Sequence, residues 1–100
     1  MAEDEFDPAM LAATPATADE CFERGIIFSS GRAGAIDMIA AHMWFNIAAL
    51  RGNKAAAALR REVAEQMVDA EIGVAQKAAR DWLKANPEQT TPAEALRVAA

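Results

Sequence analysis

Several residue types are scarce in this sequence of 100 residues, which has no tyrosine, one cysteine and one histidine. A lone cysteine forms no internal disulfide bond, which argues against a small secreted scaffold held by disulfides and suits a reducing compartment. A lone histidine offers no paired spacing for a zinc site. Valine and isoleucine are few, and no stretch alternates polar with apolar side chains, so a β-sheet is not expected.

Basic clusters are also scarce, and the formal net charge is −5. Nucleic-acid binding needs grouped lysines and arginines whose field dominates one surface. The one basic pair, Arg60-Arg61, is flanked by Glu62 and Glu65, which is typical of a solvated helix face, with an anion site as the minor alternative. We therefore expect no nucleic-acid partner.

Long apolar runs are missing as well. No segment is long and apolar enough to span a bilayer. Residues 37–51, which we predict to be helical, contain almost none of the basic residues of an interfacial membrane helix. The acidic start of the sequence, MAEDEFDPAM, has no basic region followed by an apolar run, so it does not resemble a signal peptide. We expect a cytoplasmic protein with no membrane partner.

Hydrophobic residues make up 53% of the chain, and many are alanine, which favours helix but buries little area. A chain this short forms one domain with a modest core. The sequence therefore predicts an all-α fold of antiparallel helical hairpins, with helices over about residues 18–29, 37–51, 53–66 and 69–86. The predicted inward residues are Ala18, Phe22, Gly25, Ile26 and Ser29 on the first helix, Ile36, Ile39, Ala40, Met43, Trp44, Ile47 and Ala48 on the second, Ala56, Leu59, Val63 and Met67 on the third, and Ile72, Ala75, Ala79, Trp82 and Leu83 on the fourth.

An acidic arm precedes the predicted helical domain. We expect residues 1–16 to be partly disordered, with a short helical turn opened by Asp7-Pro8. Thr17 and Glu20 then have the spacing of a capping box, in which each side chain pairs with the backbone N–H of the other residue. The helical domain is therefore expected to cover residues 17–86.

Capping signals recur towards the C-terminus. Asp69 is predicted to cap the fourth helix, and Pro87 marks its end. Thr91 and Glu94 repeat the capping pattern, which predicts a short C-terminal helix within residues 87–100.

Groups for catalysis or cofactor binding are few. Cys21 lies beside three carboxylates, which disfavour the thiolate, so we expect an inert or half-buried thiol and not a nucleophile. His42 has no partner at metal-ligand spacing, and we expect it to be exposed or to cap a helix. Residues 31–34 lack the lysine and hydroxyl residue of a phosphate-binding loop. We expect a protein that is not an enzyme and has no cofactor and no metal.

The most informative pattern is residues 21–56, CFERGIIFSSGRAGAIDMIAAHMWFNIAALRGNKAA. Its glycines mark turns and helix ends, and its aromatic residues and alanines are spaced as in two helices joined by a tight turn. The defining positions are Gly25, Phe28, Gly31, Asp37, Ala41, Trp44, Phe45, Ala48, Ala49, Gly52 and Ala56. In unbroken register, these resemble the Sel-like repeat, a relative of the tetratricopeptide repeat in which helical hairpins stack into a superhelical scaffold.

The resemblance covers one repeat, from Ala18 to Ala58, and departs from the family at two places. Arg24 stands where a buried leucine is usual, and Ala33-Gly34 stands where Gly-Val shapes the loop. Each hairpin of such a scaffold buries its apolar faces against neighbouring hairpins. With a single repeat, we expect the third and fourth helices to cap the hairpin.

The resemblance implies a non-enzymatic adaptor or scaffold that binds a protein partner, because related scaffolds bind through the first helix of each hairpin. On this helix an arginine predicted to face away from the core could pair with an acidic group of a partner. The candidate binding residues are Glu20, Glu23, Arg24 and Ile27.

Two alternatives stay open at the level of sequence. In the first, an uncapped apolar face is buried by a second copy, which gives a homodimeric helical bundle with no separate partner. In the second, weaker alternative the bundle is a small enzyme or binds a ligand. Met38, Met43 and Met67 fit either an adaptable contact surface or gap-filling in the core.

Overall fold

Four helices form the part of the protein that a computed structural model describes, residues 14–87. They are α1 (Ala18–Ser30), α2 (Met38–Leu50), α3 (Ala56–Ala64) and α4 (Asp69–Ala85). No strand occurs among these residues, so the predicted all-α class is confirmed, and none of their helices is long and apolar enough to cross a membrane. Most of the predicted acidic arm and the predicted C-terminal helix lie outside the described residues.

α1 begins with the predicted capping box and ends at a glycine. The Thr17 hydroxyl accepts a hydrogen bond from the N–H of Glu20 at 3.1 Å, and the Glu20 carboxylate accepts from the N–H of Thr17 at 3.1 Å and of Ala16 at 2.6 Å. Gly31 has a left-handed φ of 79° and donates its N–H to the carbonyl of Ile27. These bonds satisfy end groups that have no partner inside the helix.

α2 is the central helix, because α1, α3 and α4 all pack on it. Asp37 caps its N-terminus by accepting a hydrogen bond from the N–H of Ala40 at 3.0 Å. A helix that packs against several neighbours is apolar around most of its circumference, and the single inward face predicted for α2 is therefore too narrow. Ile36, predicted to be inward, precedes the helix and is 58% exposed. The buried residues of α2 are Ala41, His42, Phe45, Ile47 and Ala48.

The missing side chain at Gly25 lets α1 approach α2 closely. A Cβ atom added there would lie 2.5 Å from Cδ1 and 2.9 Å from Cζ of Phe45, closer than non-bonded carbon atoms pack. The Phe45 ring is only 1% exposed and packs against Phe22, with 5.7 Å between ring centroids. The contact between Gly25 and Phe45 therefore sets the separation of α1 and α2.

The turn before α3 is built around Asn53. Its Oδ1 accepts hydrogen bonds from the N–H groups of Ala55 and Ala56, both at 3.0 Å, and its Nδ2 donates to a carboxylate oxygen of Asp19 at 3.0 Å. Asn53 thus caps α3 from the preceding turn. The regular helix begins at Ala56, three residues later than predicted.

The predicted cap of α4 at Asp69 is wrong. Asp69 is already the first helical residue, and the residue with an extended backbone before the helix is Val68. The valine side chain has no hydrogen-bond acceptor with which to cap the helix. The Glu71 carboxylate caps it instead, by accepting a hydrogen bond from the N–H of Val68 at 3.1 Å. The inward residues predicted for α3 and α4 are confirmed: Ala56, Val63, Ala75 and Ala79 are buried, and Leu59, Met67, Ile72, Trp82 and Leu83 are half-buried.

Two groups of buried side chains hold α2 between its neighbours. Much of the first group is alanine, which lets the helices approach closely. The three methionines considered above are half-buried against these groups, which favours their role as core fillers. The first group is Cys21, Ile47, Ala48, Ala56 and Ala79, and the second is Ala41, Phe45 and Val63.

On the side of α2 that faces α4, cations and aromatic rings alternate. The Arg24 guanidinium lies 5.4 Å from the Trp44 ring centroid, the rings of Trp44 and Trp82 meet edge to face at 5.2 Å, and the Arg51 guanidinium lies 5.0 Å from Trp82. Arg51 also donates to the carbonyl of Asn86 at 2.5 Å. This stack fastens the end of α4 to the α1–α2 hairpin.

Candidate binding groove

A groove of about 230 Å³ opens between α1, α2 and α3. Its interior is apolar, with two buried side chains at the bottom and three half-buried side chains at the sides, and its edge is polar. The bottom is Phe45 and Val63, the sides are Ile26, Met38 and Leu59, and the edge is Ser29, Glu62 and Gln66.

The groove exists because α1 and α3 both pack on α2 while they contact each other little. α4 also packs on α2 and does not form a second tight hairpin with α3. In a stack of helical hairpins, the next hairpin buries the apolar face of the one before it. Among residues 14–87 this strip of α2, between α1 and α3, is left open.

The edge of the groove carries one formal charge, the carboxylate of Glu62. None of the eight lining residues is a lysine or arginine. The neighbouring Arg60 is engaged elsewhere, because its Nη1 donates to the side-chain oxygen of Asn46 at 2.7 Å. The groove therefore combines an apolar interior with a negative edge.

Two of the predicted binding residues, Glu20 and Glu23, have contacts within the protein. The Glu20 carboxylate is exposed, but it accepts the two backbone hydrogen bonds that cap α1. Glu23 is half-buried, and its carboxylate lies 4.0 Å from the guanidinium of Arg32. Neither residue lines the groove.

The predicted exposure of Arg24 and Ile27 is wrong. Arg24 is 6% exposed and Ile27 is completely buried. The reason is that the buried stripe of α1 is wider than the predicted one, and the Arg24 side chain is covered where it lies over Trp44. The residues of α1 that do line the groove, Ile26 and Ser29, were assigned to the core by their spacing.

The positions that define the repeat pattern shape the α1–α2 hairpin or its packing against α3 and α4. Gly25 permits close approach, Gly31 ends α1, Asp37 caps α2, and Gly52 takes a φ of 108° after α2. The others pack between helices: Ala41, Phe45, Ala48 and Ala56 are buried, and Phe28, Trp44 and Ala49 are half-buried.

His42 is buried, contrary to the prediction, and is 3% exposed. Its place in α2 explains this, since three other helices pack on that helix. Its Nδ1 atom has no hydrogen-bond partner among the described residues. Burial, and after it the positive charge of Arg60, lowers the pKa of His42. The imidazole is therefore neutral at pH 7.

Cys21 is completely buried, which goes beyond the predicted half-burial and fits an unreactive thiol. Within residues 14–87, no three histidine, cysteine, aspartate or glutamate side chains are grouped so as to hold a metal ion.

The site prediction missed the contribution of α3. Leu59 and Val63 were expected to be inward, and Glu62 was expected on a solvated face, but together with Gln66 they lie on one side of the chain at spacings of three and four residues. That spacing was visible in the sequence. The gap between α1 and α3 was not, because it depends on how both helices sit on α2.

No protein-family model, curated protein or solved structure matches the chain. The resemblance to the Sel-like repeat therefore stays a prediction, and the function has to be argued from the groove.

Proposed function

We propose that this protein is a small non-enzymatic adaptor, which binds a segment of a partner protein in the groove between α1, α2 and α3. The observation that supports the proposal is the open apolar interior, in which Phe45 and Val63 lie beneath the half-buried side chains of Ile26, Met38 and Leu59. Apolar surface of this kind is favourable to bury against a ligand. The predicted Sel-like hairpin supports the same function, because related scaffolds bind proteins.

The volume of the groove favours a protein side chain as its occupant. Pockets for small molecules and cofactors usually measure about 300–1,000 Å³, whereas this groove measures about 230 Å³. One bulky apolar side chain of a partner, such as leucine, methionine or phenylalanine, suits this space. The single cysteine is compatible with a reducing compartment, and we propose that the adaptor acts in the cytoplasm.

A second copy of the chain is the competing occupant. In a two-fold symmetric dimer both copies contribute the same surface, so each copy would bring a Glu62 carboxylate into the interface, and the two like charges would repel each other. No lysine or arginine lines the groove to offset this repulsion. The charge at the edge therefore favours a different chain as the partner.

The experiment is a selection of peptides from a random display library on the immobilised full chain and on two tryptophan variants. Gln66→Trp places a large ring over the groove from an exposed position that lines it. Gln76→Trp is the matched control, because Gln76 is exposed on α4 and does not line the groove. Circular dichroism checks that both variants remain helical.

We expect the wild type and Gln76→Trp to enrich the same peptides and Gln66→Trp to lose them. Equal enrichment on all three proteins would place binding outside the groove, and no enrichment on the wild type would overturn the adaptor function. Light scattering over a concentration series tests the competing occupant. A dimer of the wild type that Gln66→Trp abolishes would assign the groove to a second copy.

A further inference from the structure

The charge at the edge of the groove narrows the class of partner. We propose that the groove selects segments in which a bulky apolar side chain is accompanied, within about one helical turn, by a lysine or arginine that pairs with Glu62. This inference rests on the proposed function, because it describes the chemistry of the segment that the same groove binds.

The position of Glu62 supports a cation close to the apolar anchor. Glu62 is next to Val63 at the bottom of the groove and three residues from Leu59 at its side, so all three lie on the same side of α3. A partner side chain inserted between α1 and α3 therefore places its neighbours within reach of this carboxylate. Partial removal of water on binding strengthens the attraction between the two charges.

The absence of lysine and arginine from the lining of the groove argues against a preference for acidic segments. Arg60 donates to Asn46, and Arg61 is exposed and does not line the groove. A partner carboxylate at this edge would meet Glu62 with no lining cation between them. Uncharged segments would fill the apolar interior but leave the Glu62 carboxylate to lose water without a new partner. A segment with both a bulky apolar and a basic residue fills the apolar interior and pairs with the Glu62 carboxylate at the edge.

The test repeats the peptide selection on Glu62→Lys and on the control Glu65→Lys. Glu65 carries the same charge on the neighbouring turn, is exposed and does not line the groove, so both variants change the net charge equally. Binding of the strongest wild-type peptide is then measured by fluorescence anisotropy for the wild type, Glu62→Gln, Glu62→Lys and Glu65→Lys. A peptide with its basic residues changed to glutamate is measured alongside.

We expect the wild type and Glu65→Lys to enrich peptides with lysine or arginine beside one bulky apolar residue, and Glu62→Lys to enrich acidic residues at the same place. Glu62→Gln should weaken the wild-type peptide by about two- to fivefold, the range of a partly exposed ion pair. Glu62→Lys should weaken it further and bind the glutamate peptide better than the wild type does.

Three results would overturn the inference and can be told apart. If the wild type enriches apolar peptides with no preference for basic residues, and Gln66→Trp still blocks them, the adaptor function stands and the charge selection fails. If Glu65→Lys weakens binding as much as Glu62→Lys, the effect comes from net charge and not from the groove. If the wild type enriches no peptide at all, both the adaptor function and the preference for basic segments are overturned.

Discussion

Replacing Gly25 with alanine tests the close packing of α1 on α2. Helix propensity alone predicts that the variant is more stable than the wild type, whereas the packing at Gly25 predicts that it is less stable. Alanine in the middle of a helix is about 1 kcal/mol more favourable than glycine. The new methyl group, however, would lie 2.5 Å and 2.9 Å from two carbons of the Phe45 ring. Phe45 is 1% exposed and packs against the Phe22 ring, so a shift of the Phe45 ring away from Gly25 would disturb the packing of both rings.

The expected loss follows from these opposing terms. Inserting a methyl group into a packed core costs about 1–3 kcal/mol and occasionally more, and the clash with several carbons of one ring at Gly25 places this case at the upper end. After the gain in helix propensity, the free energy of unfolding should fall by about 2 kcal/mol. For a domain of this size, this lowers Tm by roughly 8–16 °C.

Gly73→Ala is the matched control for Gly25→Ala. Gly73 lies inside α4, and a Cβ atom added there meets nothing within 4 Å. We expect this variant to be more stable than the wild type by about 0.5–1 kcal/mol. Guanidinium unfolding followed by circular dichroism measures both variants.

A double-mutant cycle with Phe45→Leu identifies the clash itself. The smaller side chain should make Gly25→Ala less damaging, with a coupling free energy of about 1 kcal/mol or more. The reasoning would be refuted if Gly25→Ala were as stable as the wild type, or if its cost were unchanged by Phe45→Leu.

Three further substitutions test other contacts. The pKa of His42 is lowered in the folded protein, so the unfolded chain takes up a proton first as pH falls. Below about pH 6.5 the free energy of unfolding of the wild type should therefore fall more steeply with pH than that of His42→Leu. The same dependence on pH for both proteins would contradict this. Arg51→Lys should lower the free energy of unfolding by about 1–2 kcal/mol, because lysine cannot both stack on Trp82 and donate the hydrogen bond to the carbonyl of Asn86. Thermal unfolding, with Arg51→Met as the reference variant, measures this loss. Asn53→Ala removes both side-chain bonds that cap α3 and should cost about 0.5–2 kcal/mol in denaturant unfolding, whereas no change would show that the turn needs no cap.

Local signals in the sequence were enough to predict the helices and most of their ends. The capping box at Thr17 and Glu20 depends on residues only a few positions apart, and the structure confirms it. The inward residues of α3 and α4 were predicted for the same reason, since each of these helices has one covered side. Asp69 was misplaced by one residue, because Val68 and Glu71 replace the expected capping side chain.

Tertiary arrangement decided the features that the sequence did not predict. The burial of His42 follows from three helices packing on α2, and the periodicity of that helix could not distinguish this from a one-sided core. Arg24 is covered over Trp44, although an arginine is usually expected at the surface. The groove depends on the gap between α1 and α3, so Glu62 could be assigned only to a solvated face.

The most direct test of the groove as the binding site is NMR titration of the labelled full chain with the strongest peptide selected on the wild type. The account predicts that backbone amide signals of Ile26, Leu59 and Val63 shift with peptide concentration, while those of Val74 and Gln76 on α4 stay in place. Shifts confined to α4 would contradict binding between α1, α2 and α3.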